Sequence, residues 1–174
     1  GQLKPGYNIQ VGSCNGFVVN WSTHQNRNDN RTLIPHLERY ERFLNKLPKS
    51  IGADSGYGNQ ENYEYLREKH IKNYIKYPLF HKEQTKKFKS KKYNWQNMEY
   101  DEINDKFTCP EGKKLEYVKI RYDKTETGFI QENRVYECSD CSSCVHKNEC
   151  TKAQGNRQIQ FNRKLWQLKN VARR

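Results

Sequence analysis

The sequence predicts an α/β protein that carries a small cysteine-rich β-hairpin. Three observations support this. Within the first 80 residues, apolar patterns of period two and period 3.6 follow one another in the order hairpin, helix, strand, helix, strand. Strands separated by helices are as a rule parallel, with right-handed crossovers. In the second half, five of the six cysteines flank another pair of alternating segments. Between the two, from about His81, the composition turns basic. The expected organisation is a core over residues 1–80, a basic linker over 81–108, a cysteine-rich insertion over 109–155, and the start of a further helix over 156–174.

Each element has a local cause. Pro5-Gly6 is a turn signal. Tyr7, Ile9 and Val11 alternate with Asn8 and Gln10, the pattern of a half-buried strand. Asn15-Gly16 suits a type I′ turn, whose two central residues need positive φ, and Phe17–Trp21 is the return strand. Cys14 beside the turn reads as packing. His24 ends the return strand, and a lone histidine there is more often structural than catalytic. Asp29 or Asn30 caps the next helix, in which Leu33, Ile34, Leu37, Tyr40, Phe43, Leu44 and Leu47 form one face until Pro48 ends it. His36, Arg39, Glu41 and Arg42 fall on the solvated face.

The uncharged run Ile51-Gly52-Ala53 reads as the end of a buried strand, with Asp54 at its tip. Ser55, Gly56 and Gly58 force a turn. Asn59 caps a helix to about His70, with Glu61 in its first turn, Glu64 on its solvated face, and Tyr63 and Leu66 on its apolar stripe. Tyr74–Leu79 completes the core as a strand. In open α/β sheets ligands bind outside the carboxyl ends of the strands. A carboxylate at that position can reach a metal or a substrate; the plainer reading is a side chain that caps a turn.

Lys82, Lys86, Lys87, Lys89, Lys91 and Lys92 crowd around Phe88, Tyr93 and Trp95. Lysines neutralise phosphates and exposed rings stack on bases, so the run is a candidate DNA contact; the alternative is a solvated linker. Asn94–Asp105 reads as loop. Lys114–Tyr122 and Phe129–Tyr136 form the second hairpin. Cys109 lies before it in a Cys-Pro-Glu-Gly knuckle, and Cys138, Cys141, Cys144 and Cys150 follow it. Two knuckles joined by a hairpin are the layout of a zinc ribbon, in which Zn²⁺ takes four thiolate or imidazole ligands. Five cysteines exceed that number by one, and His146 is a further candidate. An iron–sulfur cluster and a set of packed reduced thiols are the other readings. Phe161, Leu165, Leu168 and Val171 mark a final helix.

Composition narrows the partners. The chain has 174 residues, 30% charged and 33% hydrophobic, with twelve Tyr, seven Phe and three Trp to supply burial. Its formal charge of +12 favours a polyanion. No run approaches the ~20 apolar residues of a membrane span, and the N-terminus lacks a signal peptide's apolar core. The expected location is cytoplasmic, where thiols stay reduced and cysteine clusters serve as metal ligands. The chain opens on Gly1 and ends at Arg173-Arg174 after a helical stretch, so it is expected to be a piece of a longer protein.

Ala53-Asp54-Ser55-Gly56-Tyr57-Gly58, followed by Glu61-Asn62-Tyr63, resembles the block around the second catalytic aspartate of bacterial insertion-sequence transposases of the DDE class. Leu3-Lys4-Pro5-Gly6-Tyr7-Asn8-Ile9-Gln10 is similar to their segment just downstream of the first aspartate. Cys109-Pro110-Glu111-Gly112, the group from Cys138 to Cys150, and Gly155-Asn156-Arg157 resemble the cysteine-bearing insertion of one subgroup. The resemblance implies a partial ribonuclease-H-like mixed sheet, Mg²⁺-dependent phosphoryl transfer on DNA at transposon ends, and a homodimeric full-length protein. Of the three expected acids only Asp54 matches. The first aspartate falls before Leu3, and no glutamate follows Glu149. The chain alone is therefore expected to be inactive. The alternative class is a non-catalytic nucleic-acid-binding module built on a zinc ribbon.

Overall fold

The computed structural model describes residues 6–173; Leu3, Lys4 and Pro5, part of the resemblance and of the expected first turn, lie outside the described residues. The chain divides into two units: residues up to 80 together with 167 onward, and residues 81–166.

The first unit opens with β1 (Asn8–Cys14) and β2 (Phe17–His24), an antiparallel hairpin. Asn15 and Gly16 join them at φ 50° and 83°, the left-handed pair that the turn requires. The faces are reversed from the expectation. Ile9, Val11 and Trp21 are 63%, 60% and 55% exposed, whereas Gln10, Asn20 and Ser22 are buried. The physical reason is that the inward polar groups find partners. Asn20 Nδ2 donates to His36 O (2.7 Å), and Gln10 Nε2 donates to Asp29 Oδ1 (3.1 Å). Satisfied polar groups tolerate burial, and alternation fixes two faces without saying which is covered.

Helix α1 (Leu33–Leu44) follows Thr32. Asp29 does not cap it: Asp29–Arg31 form a separate 3-10 turn, and Asp29 accepts from the hairpin instead. The helix stops at Asn45, in the left-handed conformation, before Pro48 is reached. Leu33 and Leu37 are buried as expected, but Phe43 and Leu44 are exposed. Two residues assigned to the solvated face are less exposed than that, His36 buried and Arg39 half-buried. His36 is buried against Ser22, and the Arg39 guanidinium stands 4.7 Å from the Trp21 ring and 4.6 Å from the Phe43 ring.

The parallel pair β3 (Ser50–Ile51) and β4 (Lys72–Asn73) brackets α2 (Gln60–Glu68). Asn59 caps α2, its side chain accepting from Asn62 N at 2.9 Å. Tyr63 and Leu66 are buried as the stripe requires; Glu64 is also buried, accepting from Gln60 Nε2 (2.7 Å), which corrects its solvated assignment. The last strand was expected at Tyr74–Leu79 and pairs two residues earlier, while Ile75 and Tyr77 still point inward. Gly58 fixes this packing: a Cβ there would stand 2.4 Å from Lys76 O and 2.6 Å from Tyr77 Cα. The two strand pairs are separate sheets and not the single sheet expected.

The second unit begins with the short helix α3 (Lys86–Lys89), then a five-stranded antiparallel sheet in sequential order. Its strands are β5 (Glu99–Asp101), β6 (Lys106–Thr108), β7 (Lys114–Lys124), β8 (Ile130–Cys138) and β9 (Gln158–Phe161). The β7–β8 hairpin lies where the alternation placed it. Residues 99–101 and 106–108, within the stretch assigned to linker and loop, are strands held by an aromatic core. Phe107, Tyr136 and Phe161 are buried with Leu115, Met98 and Ile159, and Trp95, Tyr100 and Trp166 pack against them. Helix α4 (Lys147–Cys150) precedes β9, and α5 (Arg163–Arg173) follows it; Phe161 belongs to the strand. Among the described residues no helix is long and apolar enough to cross a membrane.

Candidate functional site

The chain places its chemistry-bearing residues at three separate locations. The first is the tip of β3. Asp54 lies three residues beyond Ile51 with an extended backbone, and its Oδ1 accepts from Gly56 N at 2.5 Å, so it caps the Ser55–Tyr57 turn. Sequence reasoning missed the neighbouring Asp29. A Cβ built on Gly56 would stand 3.0 Å from Asp54 Oδ1 and 3.7 Å from Asp29 Oδ2, so both carboxylates converge on that turn. Asn8 Nδ2 (2.7 Å) and Gln10 Nε2 hold Asp29, and Tyr57 OH donates to Gln10. Burial raises the Tyr57 hydroxyl pKa, and Asp29 and Asp54 raise it further. The only sequence signal for Asp29 was its charge in a polar loop.

Beside this tip lies a groove of about 280 Å³. One wall is Gln10–Cys14 of β1, the other is Ser50–Ala53, and Leu33, His36, Leu37 and Tyr40 of α1 contribute to its lining. Among the described residues, strand β1 pairs only with β2, and β3 only with β4. His24 lies close by and reads as structural: its Nε2 and the Nδ1 of His36 share the Ser22 hydroxyl, at 2.8 and 2.7 Å. Burial lowers both histidine pKa values, and in His36 the neighbouring His24 and Arg39 lower it further.

Two carboxylates do not make a two-metal centre, which needs several acids around its ions. Among the described residues no three His, Cys, Asp or Glu side chains stand in a metal-holding arrangement. The described residues therefore do not by themselves fit a Mg²⁺ pair.

The second location is the basic run. Lys82, Lys86, Lys87, Lys89, Lys91 and Lys92 are all exposed. Lys92 pairs with Glu111 at 2.7 Å. The aromatics among them are engaged in packing rather than presented to bases: Phe88 is buried, Trp95 packs on the sheet core, and Tyr93 lies against His146 with centroids 5.9 Å apart.

The third location is a small cavity lined by Cys109, Cys138, Cys141, Cys144 and Cys150 together. All five are free thiols, with Cys138 and Cys141 buried. Burial raises the Cys138 thiol to about 11, with the Cys141 side chain adding to the rise. Burial also raises Cys150. His146 does not line this cavity, and Cys14 is exposed in the hairpin.

A family model described as Transposase DDE domain matches residues 108–174, a little over a third of the chain. It takes in β7, β8, β9, α5 and all five clustered cysteines, and leaves out Asp54 and Asp29. No curated protein and no solved structure matches the chain. The match supports a DDE transposase, a class that acts on DNA and generally uses a divalent metal such as Mg²⁺.

Proposed function

We propose that this chain is the central part of a bacterial insertion-sequence transposase of the DDE class. Its first unit is part of a ribonuclease-H-like core, and its second is the cysteine-bearing insertion. Asp54 supplies one of the three catalytic acids, and segments outside these 174 residues supply the other two. The observation that carries the reading is the groove. Two strands, β1 and β3, each with one edge unpaired among the described residues, wall a groove that ends beside Asp54. A further strand laid there would pair with both edges and bring its own carboxyl end next to Asp54. The resemblance assigns the first aspartate to such a strand. The exposed face of β1 and β2, with Ile9, Val11, Phe17 and Trp21, is consistent with a sheet that is covered in the longer protein.

On this reading the exposed lysines of 82–92 contact phosphates without sequence preference, and the full-length protein works on DNA in the cytoplasm as a homodimer. The test is a strand-transfer and plasmid-nicking assay with Mg²⁺ or Mn²⁺. In the full-length protein, Asp54→Asn abolishes cleavage and leaves DNA binding intact. The 174-residue chain nicks nothing, with or without the substitution. A full-length Asp54→Asn protein that still cuts would remove Asp54 from the site. Metal-dependent nicking by the short chain, lost in Asp54→Asn, would show that its own residues complete the site.

A further inference from the structure

We propose that the cysteine cavity of the second unit is a structural zinc site of four thiolates, with Cys141 as one ligand. The proposal is independent of transposition. Residues distant in sequence converge here: Cys109 from the turn before β7, Cys138 at the end of β8, Cys141 and Cys144 in the following loop, and Cys150 at the end of α4. The first knuckle is built by the backbone. Gly112, at φ 79°, donates to Cys109 O at 2.9 Å, and Cys109 N donates to Lys113 O at 2.8 Å. Asn156 Oδ1 holds the second by accepting from Cys141 N at 2.9 Å.

Three features favour thiolates around a metal over five packed neutral thiols. Arg157 N donates to Cys141 Sγ at 3.4 Å, a backbone hydrogen bond to sulfur of the kind that supports a charged ligand. The cavity is lined by three cations, Lys113, Lys147 and Arg157, against two carboxylates, Glu111 and Asp140, the latter paired with Lys113 at 3.3 Å. One cation is left in excess beside neutral thiols, whereas Zn²⁺ with four thiolates would carry two net negative charges. Arg157 Nε is buried and has no hydrogen-bond partner, a cost that an anionic centre beside it would offset.

The size of the cavity favours a single ion over a cluster. Its volume of about 20 Å³ suits a single ion. An iron–sulfur cluster with its inorganic sulfides needs several times that space. The sulfurs stand apart in the arrangement described, with no three of them placed to hold an ion, so binding at the ~2.3 Å of a Zn–S bond requires the thiol-bearing side chains to move toward one centre. Each thiol that binds releases its proton to solvent, so binding weakens as pH falls.

The test uses the whole chain, reduced and refolded with and without zinc. The expected result is one zinc per chain by elemental analysis. Co²⁺ in its place should give the absorption of a tetrahedral thiolate complex. In the zinc-loaded protein, alkylation followed by mass spectrometry should leave four of the five clustered thiols protected, with Cys14 modified. Cys141→Ser loses stoichiometric metal and Cys14→Ser keeps it. If Cys141→Ser does not fold, the alkylation pattern of the unsubstituted chain still decides. Alkylation that is the same with and without zinc would overturn the proposal. So would disulfides among the five thiols as the only product, or iron and sulfide in place of zinc.

Discussion

Replacing Asp105 with alanine is expected to destabilise the five-stranded sheet by about 4 kcal/mol. Asp105 sits in the turn between β5 and β6 at φ 52°. Its Oδ1 accepts from Tyr100 OH (2.6 Å) and Tyr136 OH (2.7 Å), and its Oδ2 from Arg134 Nη1 (2.8 Å). Tyr136 is fully buried, so its hydroxyl would lose a charged acceptor with no water to replace it, at about 1–3 kcal/mol. Arg134 would lose its 2.8 Å ion pair with Asp105, a partly exposed pair worth up to about 1 kcal/mol, and keep Glu132 at 3.6 Å and the Tyr117 ring. An alanine at positive φ adds about 1–2 kcal/mol. Asp105→Asn keeps an acceptor oxygen and a residue that tolerates the left-handed conformation, so about 1–2 kcal/mol is expected. Urea unfolding followed by tryptophan fluorescence reads the difference, because Trp95 and Trp166 pack on this core. The pH dependence gives a second check. Burial raises the Asp105 carboxyl pKa, but the two tyrosine hydroxyls and Arg134 outweigh it and hold the carboxyl below its ordinary value. The stabilisation is therefore full above the unfolded carboxyl pKa of about 4 and is lost as pH falls through the depressed value. An Asp105→Ala chain within about 1 kcal/mol of the parent would refute this account of the turn.

Gly58→Ala should destabilise the first unit by about 1–3 kcal/mol, since backbone on both Lys76 and Tyr77 blocks the new methyl; circular dichroism during thermal unfolding measures it. His36→Gln should flatten the loss of stability between about pH 7 and pH 5. Burial, then His24 and Arg39, depress the His36 pKa, so its contribution is complete above about 6.5 and lost on acidification. Neutralising Lys86, Lys87, Lys89 and Lys91 together should weaken binding to all DNA sequences alike and lower the salt slope of binding by up to about 3–4; an unchanged slope would show that these lysines meet no phosphate.

Much of the secondary structure was legible because it rests on local causes. Asn15-Gly16 turns because its φ angles demand it, and Asn59 caps because its side chain reaches Asn62 N. What was not legible depends on which neighbour arrives. Alternation in β1 and β2 separates Ile9 and Val11 from Gln10, but the covering element decides which set is buried. Here α1 brings His36 O and the loop before it brings Asp29, so the polar set goes in. The same cause moved His36 and Arg39 off the solvated face. In the second unit the strands 99–101 and 106–108 carry little β-signal, and the burial of Phe107 among Tyr100, Tyr136 and Phe161 makes them strands.

The candidate site shows the same division. Asp54 was legible because a strand end, a glycine turn and a helix cap surround it in sequence. Asp29 was not, since only the folding of the 3-10 turns at 29–31 and 55–57 brings the two carboxylates to Gly56. The five cysteines could be grouped from sequence, because a hairpin between two knuckles brings Cys109 to the others, and all five line one cavity. The cysteine-bearing part of the resemblance falls inside the family match, but two supports for a transposase share no residue. One is the motif at Ala53–Tyr63, in the first unit; the other is the family match at 108–174, most of it in the second. A chance match at 108–174 would give no reason for an acid at a strand tip upstream of it, beside an unpaired strand edge. Asp54→Asn in the full-length protein therefore tests more than one residue: it asks whether the first unit and the matched segment belong to one enzyme.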